Sequence, residues 1–166
     1  MSVILGLIIS KNYDLTSLES LKEKFDLGLY EICNKYVNNQ LLDDEIIVQA
    51  TKTGCDSDTG IGAYDIYNKD LSTIFKTIND PLLVQSIVDE FEERKQGYKD
   101  DVLRWIEIIN LLKGKYKINK VGLFWHNIHN GFAKDKIIFT NRVDCQIKDI
   151  SIDFMMKIEE DLIVFF

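Results

Sequence analysis

Two histidines in one short stretch are the first residues whose types and spacing suggest chemistry. His126 and His129 stand three residues apart, a spacing that can bind zinc when two further ligands come from elsewhere in the chain. They are the only histidines in the sequence, and the H-E-x-x-H pattern of zinc proteases does not occur. We therefore expect ordinary loop histidines and no bound metal.

A polar stretch with three glycines, residues 53–62, is the second candidate. Asp56 and Asp58 are spaced like the first ligands of a calcium loop. Ile61 and Tyr67, however, occupy the positions at which an EF-hand needs glycine and glutamate. The stretch also lacks the third glycine of a dinucleotide-binding fingerprint. It predicts a loop and no cofactor.

The three cysteines, Cys33, Cys55 and Cys145, are odd in number and far apart, and no C-x-x-C pair exists. That pattern is typical of reduced, unpaired thiols. Cys55 lies in the polar loop and, paired with either histidine, is a candidate nucleophile, but no local motif supports the pair. We expect no catalytic residue, and a small enzyme using Cys55 or His126 and His129 is an alternative.

Negative charge is concentrated in the first two thirds of the chain. The net charge is −7, with −9 in residues 1–112 and +2 in residues 113–166. An acidic protein repels nucleic acid and is better matched to basic protein partners, although net charge also serves solubility alone. The acidic clusters and two nearby tyrosines form the predicted partner-binding set: Asp43, Asp44, Glu45, Asp56, Asp58, Tyr64, Tyr67, Asp89, Glu92 and Glu93.

Length and composition predict one soluble domain over residues 1–166. No apolar run approaches the roughly 20 residues that span a bilayer. The apolar stretch 2–9 lacks a preceding basic region and a small-residue cleavage site, so we interpret it as a strand and not a signal peptide. These features predict a cytoplasmic protein that does not bind membranes.

The element that must organise the rest is a long helix over residues 81–113. Asp80 is a favourable N-cap, Pro81 suits the first helical position, and Gly114 follows a basic last turn. Apolar residues recur at alternating steps of four and three. The pattern predicts one helix, with a bend at Gly97 as the alternative, and favours a core helix over a coiled-coil surface for a partner.

The remaining patterns place strands at both ends and helices in the middle. Expected strands are 2–9, about 45–53, 120–126, 136–147 and 162–166, with a hairpin turn at Asn130-Gly131 joining the third and fourth. Expected helices are a long one from a capping box at Thr16 to about residue 37, a short one near 70–78, and one capped by Asp149 or Ser151. The fold class is α+β, with a small mostly antiparallel sheet packed on the long helix.

The last third of the chain resembles bacterial immunity proteins of contact-dependent-inhibition and polymorphic-toxin systems. The resemblance rests on KVGLFWH at 120–126, the Asn130-Gly131 turn and the ending FMMKIEEDLIVFF at 154–166. It implies a small, acidic, non-enzymatic protein that neutralises a cognate toxin domain, here expected to be basic and nuclease-like. An interaction module with a different partner, joined through the long helix, is the alternative.

Overall fold

A six-stranded sheet packed against one long helix forms the body of the protein. The computed structural model describes residues 2–11, 13, 15–51 and 59–166. The strands are β1 Ser2–Ser10, β2 Tyr30–Glu31, β3 Glu45–Gln49, β4 Val121–Ile128, β5 Asn141–Asp144 and β6 Leu162–Phe165. Their order is β2-β3-β1-β4-β6-β5, and every pair is antiparallel except β5 with β6. The α+β class is confirmed.

The helices differ widely in length. They are α1 Leu15–Phe25, α2 Lys35–Asn38, α3 Tyr64–Tyr67, α4 Ser72–Phe75, α5 Pro81–Asn110 and α6 Ile152–Met156. A π turn, Leu111–Lys115, follows α5, and a 3-10 turn, Ile147–Asp149, precedes α6. Within the described residues, none of these helices is both long and apolar enough to cross a membrane.

β1 lies in the middle of the sheet, which explains its continuous apolar sequence. Successive side chains of a strand point to opposite faces. Leu5 and Leu7 share the core on one face with Trp105 of α5, whereas Ile4 packs on the other face with Phe124. The predicted strand is therefore confirmed, and its continuous apolar sequence reflects burial on both faces.

The long helix begins as its sequence predicts and continues through Gly97 without a break. The Asp80 side chain accepts hydrogen bonds from the backbone N–H groups of Leu82 and Leu83. The predicted stop at Gly114 is wrong in detail, because the π turn includes this residue and Tyr116 N–H donates to Leu111 C=O over 3.0 Å. A Cβ at Gly114 would meet no atom within 4 Å, so no close contact requires glycine or ends the helix at this position.

The predicted helix from Thr16 to residue 37 is wrong, because the chain breaks after α1. Asp26 and Leu29 adopt positive φ angles of 52° and 45°. Between them, Gly28 N–H donates to Ala50 C=O, and a Cβ at Gly28 would lie 2.3 Å from Thr51 O. Residues 27–32 instead lie along β3 as its edge partner, so tertiary pairing overrides the helical periodicity.

The predicted hairpin at Asn130-Gly131 and the strand 136–147 are also wrong. Only Asn141–Asp144 forms a strand, β5, and it pairs with β6 at the edge of the sheet and not with β4. The segment before β5 covers the second face of the sheet, where Ile137 is fully buried. Side-chain amides hold it there: Gln40 donates to Ile137 C=O and accepts from Phe139 N–H, both over 2.9 Å.

Candidate functional site

The first half of α5 is a long helical segment that lies on the surface of the protein. Residues 81–97, all of which the structure describes, include no buried residue; the buried positions of α5 start at Tyr98. At roughly 1.5 Å per residue this segment is about 25 Å long. We call it the projecting half of α5. The other half packs in the core through Val102, Trp105 and Ile109.

The projecting half has an apolar tip followed by an acidic belt. Leu82 and Leu83 are 82% and 49% exposed. Residues 89–93 then contain four carboxylates, and no basic residue occurs in the helix before Arg94. Glu90 lies 3.5 Å from Arg94 and Glu92 lies 3.3 Å from Lys95 across exposed surface, where such pairs stabilise little.

One side of the projecting half is partly covered by the short helix α3. Lys95 Nζ lies 4.8 Å from the ring centre of Phe91 and 5.7 Å from that of Tyr67. Tyr67 is half-buried by this packing, and Tyr64 lies under Lys157 Nζ at 4.4 Å. Tyr67 therefore borders the projecting half of α5, whereas Tyr64 lies against Lys157 at the end of α6.

The acidic residues at 43–45 lie elsewhere, in a cleft at one end of the sheet. This sheet-end cleft has a volume of about 700 Å³. Its charged lining comes from the residue after β1, the end of the loop before β3 and the first residue of β3, the residue before β4, and β5: Lys11, Asp43, Asp44, Glu45, Lys120, Arg142 and Asp144. Lys113, in the π turn that follows α5, donates from Nζ to Asn119 C=O beside Lys120. It lies 21 residues after Glu92, which corresponds to about 30 Å of helix. The acidic residues of the predicted set that the structure describes therefore form two separate surfaces.

Glu45 is a buried structural carboxylate, which corrects its assignment to a partner surface. Arg142 contacts both of its oxygens, with Nη1 2.9 Å from Oε1 and Nη2 3.0 Å from Oε2. Leu42 N–H also donates to Oε2 over 2.9 Å, and Lys120 Nζ lies 3.2 Å from Oε1. Burial alone would raise the pKa of Glu45, but these hydrogen bonds outweigh burial and hold the pKa below its usual value.

Asp43 and Asp44 remain exposed beside this pair. Lys120 bonds to both oxygens of Asp44 and holds the pKa of that carboxyl below its usual value. The backbone carbonyl of Asp43 accepts a hydrogen bond from Lys11 Nζ over 2.6 Å. The three cations of the cleft, Lys11, Lys120 and Arg142, therefore all bond to carbonyl or carboxylate groups of the protein itself.

A second group of ionisable residues surrounds His126, whose side chain is only 7% exposed. We call His126, Asp135, Glu160 and Asp161 the His126 cluster. Nδ1 lies 2.9 Å from Asp161 Oδ1 and 3.5 Å from Glu160 Oε1, and Nε2 lies 3.5 Å from Asp135 Oδ2. Burial alone would lower the pKa of His126, but the hydrogen bond with Asp161 and the three negative charges raise it.

Short turns place the three carboxylates. Asp161 has φ 59°, and its N–H donates to Trp125 C=O, so the turn before β6 is fixed against β4. Glu160 accepts from both the backbone and the side-chain amide of Asn127 at 2.8 Å. Asp135 accepts the backbone N–H groups of His129 and Asn130, also at 2.8 Å.

His129, the second predicted histidine, is exposed and does not join the cluster. Its ring centre is 6.2 Å from that of His126, and the rings are perpendicular. Cys55, Asp56 and Asp58 lie outside the described residues. Sequence reasoning missed Arg142, Glu160 and Asp161. The signals available were that Arg142 is one of three arginines in the chain, and that Glu160 and Asp161 belong to an acidic triplet directly before an apolar strand.

Comparisons with protein-family models, curated proteins and solved structures find no match to this chain.

Proposed function

We propose that this protein is a non-enzymatic inhibitor that binds a basic, nuclease-like toxin domain, in the manner of the immunity proteins that its last third resembles. The observation that carries the proposal is the projecting half of α5, which presents exposed leucines and an acidic belt with no buried residue along 17 positions. No residue of this segment belongs to the cores on the two faces of the sheet.

The chemistry of the segment favours a protein partner. Apolar side chains at Leu82 and Leu83 lose contact with water only if another surface covers them. An amphipathic helix of this length docks in a groove through residues three and four apart. Five acidic residues, Asp80, Asp89, Glu90, Glu92 and Glu93, precede the first basic one, so the complementary groove is basic.

The sheet-end cleft is the weaker of the two predicted acidic surfaces. Glu45 is already neutralised by Arg142, and Asp44 by Lys120. Asp43 is exposed and serves as a matched control, because it carries the same charge on the sheet-end cleft and not on α5.

The test uses the toxin domain encoded beside the gene for this chain, co-expressed with wild type or variants. We expect wild type to restore growth and to form a one-to-one complex. Two variants should raise the dissociation constant about tenfold or more, the effect of a change at a binding hot spot: Leu82→Asp, and the double variant Asp89→Lys with Glu93→Lys. Asp43→Lys should leave affinity within about twofold.

Three results would contradict the proposal. The first is a neighbouring region without a toxin gene, which removes the immunity role. The second is full protection and unchanged affinity in the α5 variants. The third is protection at far less than one molecule of this protein per toxin domain, which indicates turnover and therefore an enzyme.

A further inference from the structure

The His126 cluster contains more negative charge than one imidazole can balance. Asp135, Glu160 and Asp161 all lie within 3.5 Å of its ring nitrogens, and the His126 side chain is 93% buried. Backbone or side-chain N–H groups hold the carboxylates of Asp135 and Glu160, so neither can turn away without losing a hydrogen bond, and the backbone of Asp161 is fixed by its N–H bond to Trp125 C=O. The arrangement therefore needs a positive charge at the ring.

The two ring nitrogens of His126 differ in their hydrogen bonds, and this difference indicates on which side of the ring a positive charge is needed. Nε2 of His126 is buried and makes no hydrogen bond of good geometry, and its nearest acceptor is Asp135 Oδ2 at 3.5 Å. A neutral imidazole carries one N–H and one lone pair. Without a metal, the 2.9 Å contact is a hydrogen bond from Nδ1–H to Asp161 Oδ1. With the N–H at Nε2 and pointing to Asp135 instead, the lone pair at Nδ1 faces two carboxylates, an arrangement that is repulsive unless a cation lies between them.

The spacing on the Nδ1 side matches a metal site. One ligand atom each from His126, Glu160 and Asp161 can be chosen so that all three lie within 4.8 Å of one another, and the two distances from Nδ1 are 2.9 and 3.5 Å. With bonds of roughly 2.0–2.2 Å, the ligand atoms of a tetrahedral zinc stand about 3.4 Å apart. Only small side-chain shifts separate the present positions from that geometry.

We propose that His126, Glu160 and Asp161 bind a divalent metal ion of the zinc type, with Asp135 orienting the imidazole. A nitrogen and two carboxylate oxygens suit Zn²⁺. A carboxylate that accepts the remaining ring N–H is the usual outer partner of a metal-bound histidine. Glu160 and Asp161 are 36% and 20% exposed, so water reaches the ion and can complete its coordination.

This site escapes sequence inspection because its ligands are not the histidine pair. His126 comes from β4, while Glu160 and Asp161 come from the turn before β6, more than 30 residues later. The bound ion would link these two segments, and metal binding to the folded state alone raises thermal stability.

The experiment is a calorimetric titration of untagged, metal-free protein with Zn²⁺ at pH 7.5, after the cysteine thiols are blocked with iodoacetamide. We expect one ion per chain and a rise in melting temperature of several degrees. Glu160→Gln and Asp161→Asn should each raise the dissociation constant for Zn²⁺ about tenfold or more. Asparagine tolerates the positive φ at position 161, so the second variant keeps the turn.

Matched controls are Glu159→Gln, an exposed neighbour in the same acidic triplet, and His129→Ala, the exposed histidine. Both should bind Zn²⁺ within about twofold of wild type. No saturable one-to-one binding would overturn the site and leave a protonated His126 as the cation. Equal binding in Glu160→Gln and Asp161→Asn, or loss of binding in His129→Ala, would also overturn it, since the ion would then lie elsewhere.

Discussion

Trp105 is a residue on which the packing between α5 and the sheet depends. Its side chain is fully buried in the core that contains Leu5 and Leu7 of β1. Trp105→Ala should lower the free energy of unfolding by about 3 to 5 kcal/mol, because it removes a large buried ring and leaves a cavity. Urea denaturation measures the change.

Leu103, two positions earlier in α5, is the control for this prediction. It is 46% exposed, so Leu103→Ala should change the free energy of unfolding by less than about 1 kcal/mol. Equal effects at the two positions would show that the helix is packed on a different face.

The buried ion pair between Glu45 and Arg142 makes stability depend on pH. The pKa of Glu45 is lowered in the folded protein, so its contribution is fully present above the unfolded value of about 4.3. It is lost as pH falls through the folded value, because protonation removes the charge that Arg142 needs. The relevant window therefore lies below about pH 4.3.

Comparison of wild type with Glu45→Gln isolates this contribution. At pH 7 the variant should be less stable by about 2 kcal/mol, the loss of charged hydrogen bonds to Arg142. The difference should shrink as pH is lowered from 5 toward 3, since protonated glutamate and glutamine are similar in shape and charge. A difference that stays constant over this range would contradict the lowered pKa.

Two glycines, Gly28 and Gly97, both lie inside segments with helical periodicity, but they have opposite effects on the secondary structure. Gly28 ends the helical region after α1, and a Cβ there would lie 2.3 Å from Thr51 O, a backbone atom that cannot move alone. Gly28→Ala should therefore destabilise the protein by about 1 to 3 kcal/mol. Thermal melting or urea titration gives the value.

Gly97 is the contrasting case. It lies inside α5, is exposed, and has no atom within 4 Å of the position a Cβ would take. Gly97→Ala should raise the free energy of unfolding by about 0.5 to 1 kcal/mol, because alanine loses less backbone freedom in a helix. Destabilisation by this change would mean that α5 bends at Gly97 in solution.

At the level of the whole molecule, the acidic belt and the exposed leucines lie on the projecting half of α5, and the sheet-end cleft is a separate surface. If the acidic belt of α5 steers a basic partner, association should be fast at low salt and slow markedly as salt rises. The Debye length falls from about 30 Å at 0.01 M to about 8 Å at 0.15 M, which screens the attraction. Stopped-flow measurement of the association rate constant tests this.

The basic run after α5 supplies the whole-molecule control. Reversal of Lys113, Lys115 and Lys117 to glutamate changes net charge by more than the α5 variants do, yet should leave the association rate nearly unchanged. Loss of binding in this variant, together with insensitivity to salt, would move the contact to the C-terminal third.

The sequence by itself determined the features that depend on local chemistry and periodicity. The N-cap at Asp80, the apolar repeat of α5 and the continuous apolar run of β1 each specify their element within a few residues, and together they specify the α+β class. Of the two caps that the sequence predicts for α6, Asp149 or Ser151, the structure has Ser151. These elements are reliable because side-chain period and capping act between neighbours in the chain.

Only the tertiary structure decided which residues meet. Arg142 neutralises Glu45 from 97 residues away, and Glu160 and Asp161 reach His126 because the turn before β6 is bonded to β4. The segment before β5 carries a strand-like pattern but covers a sheet face, since the amides of Asn34 and Gln40 satisfy its backbone there. Such contacts depend on strand order, and no local pattern in one sequence encodes that order.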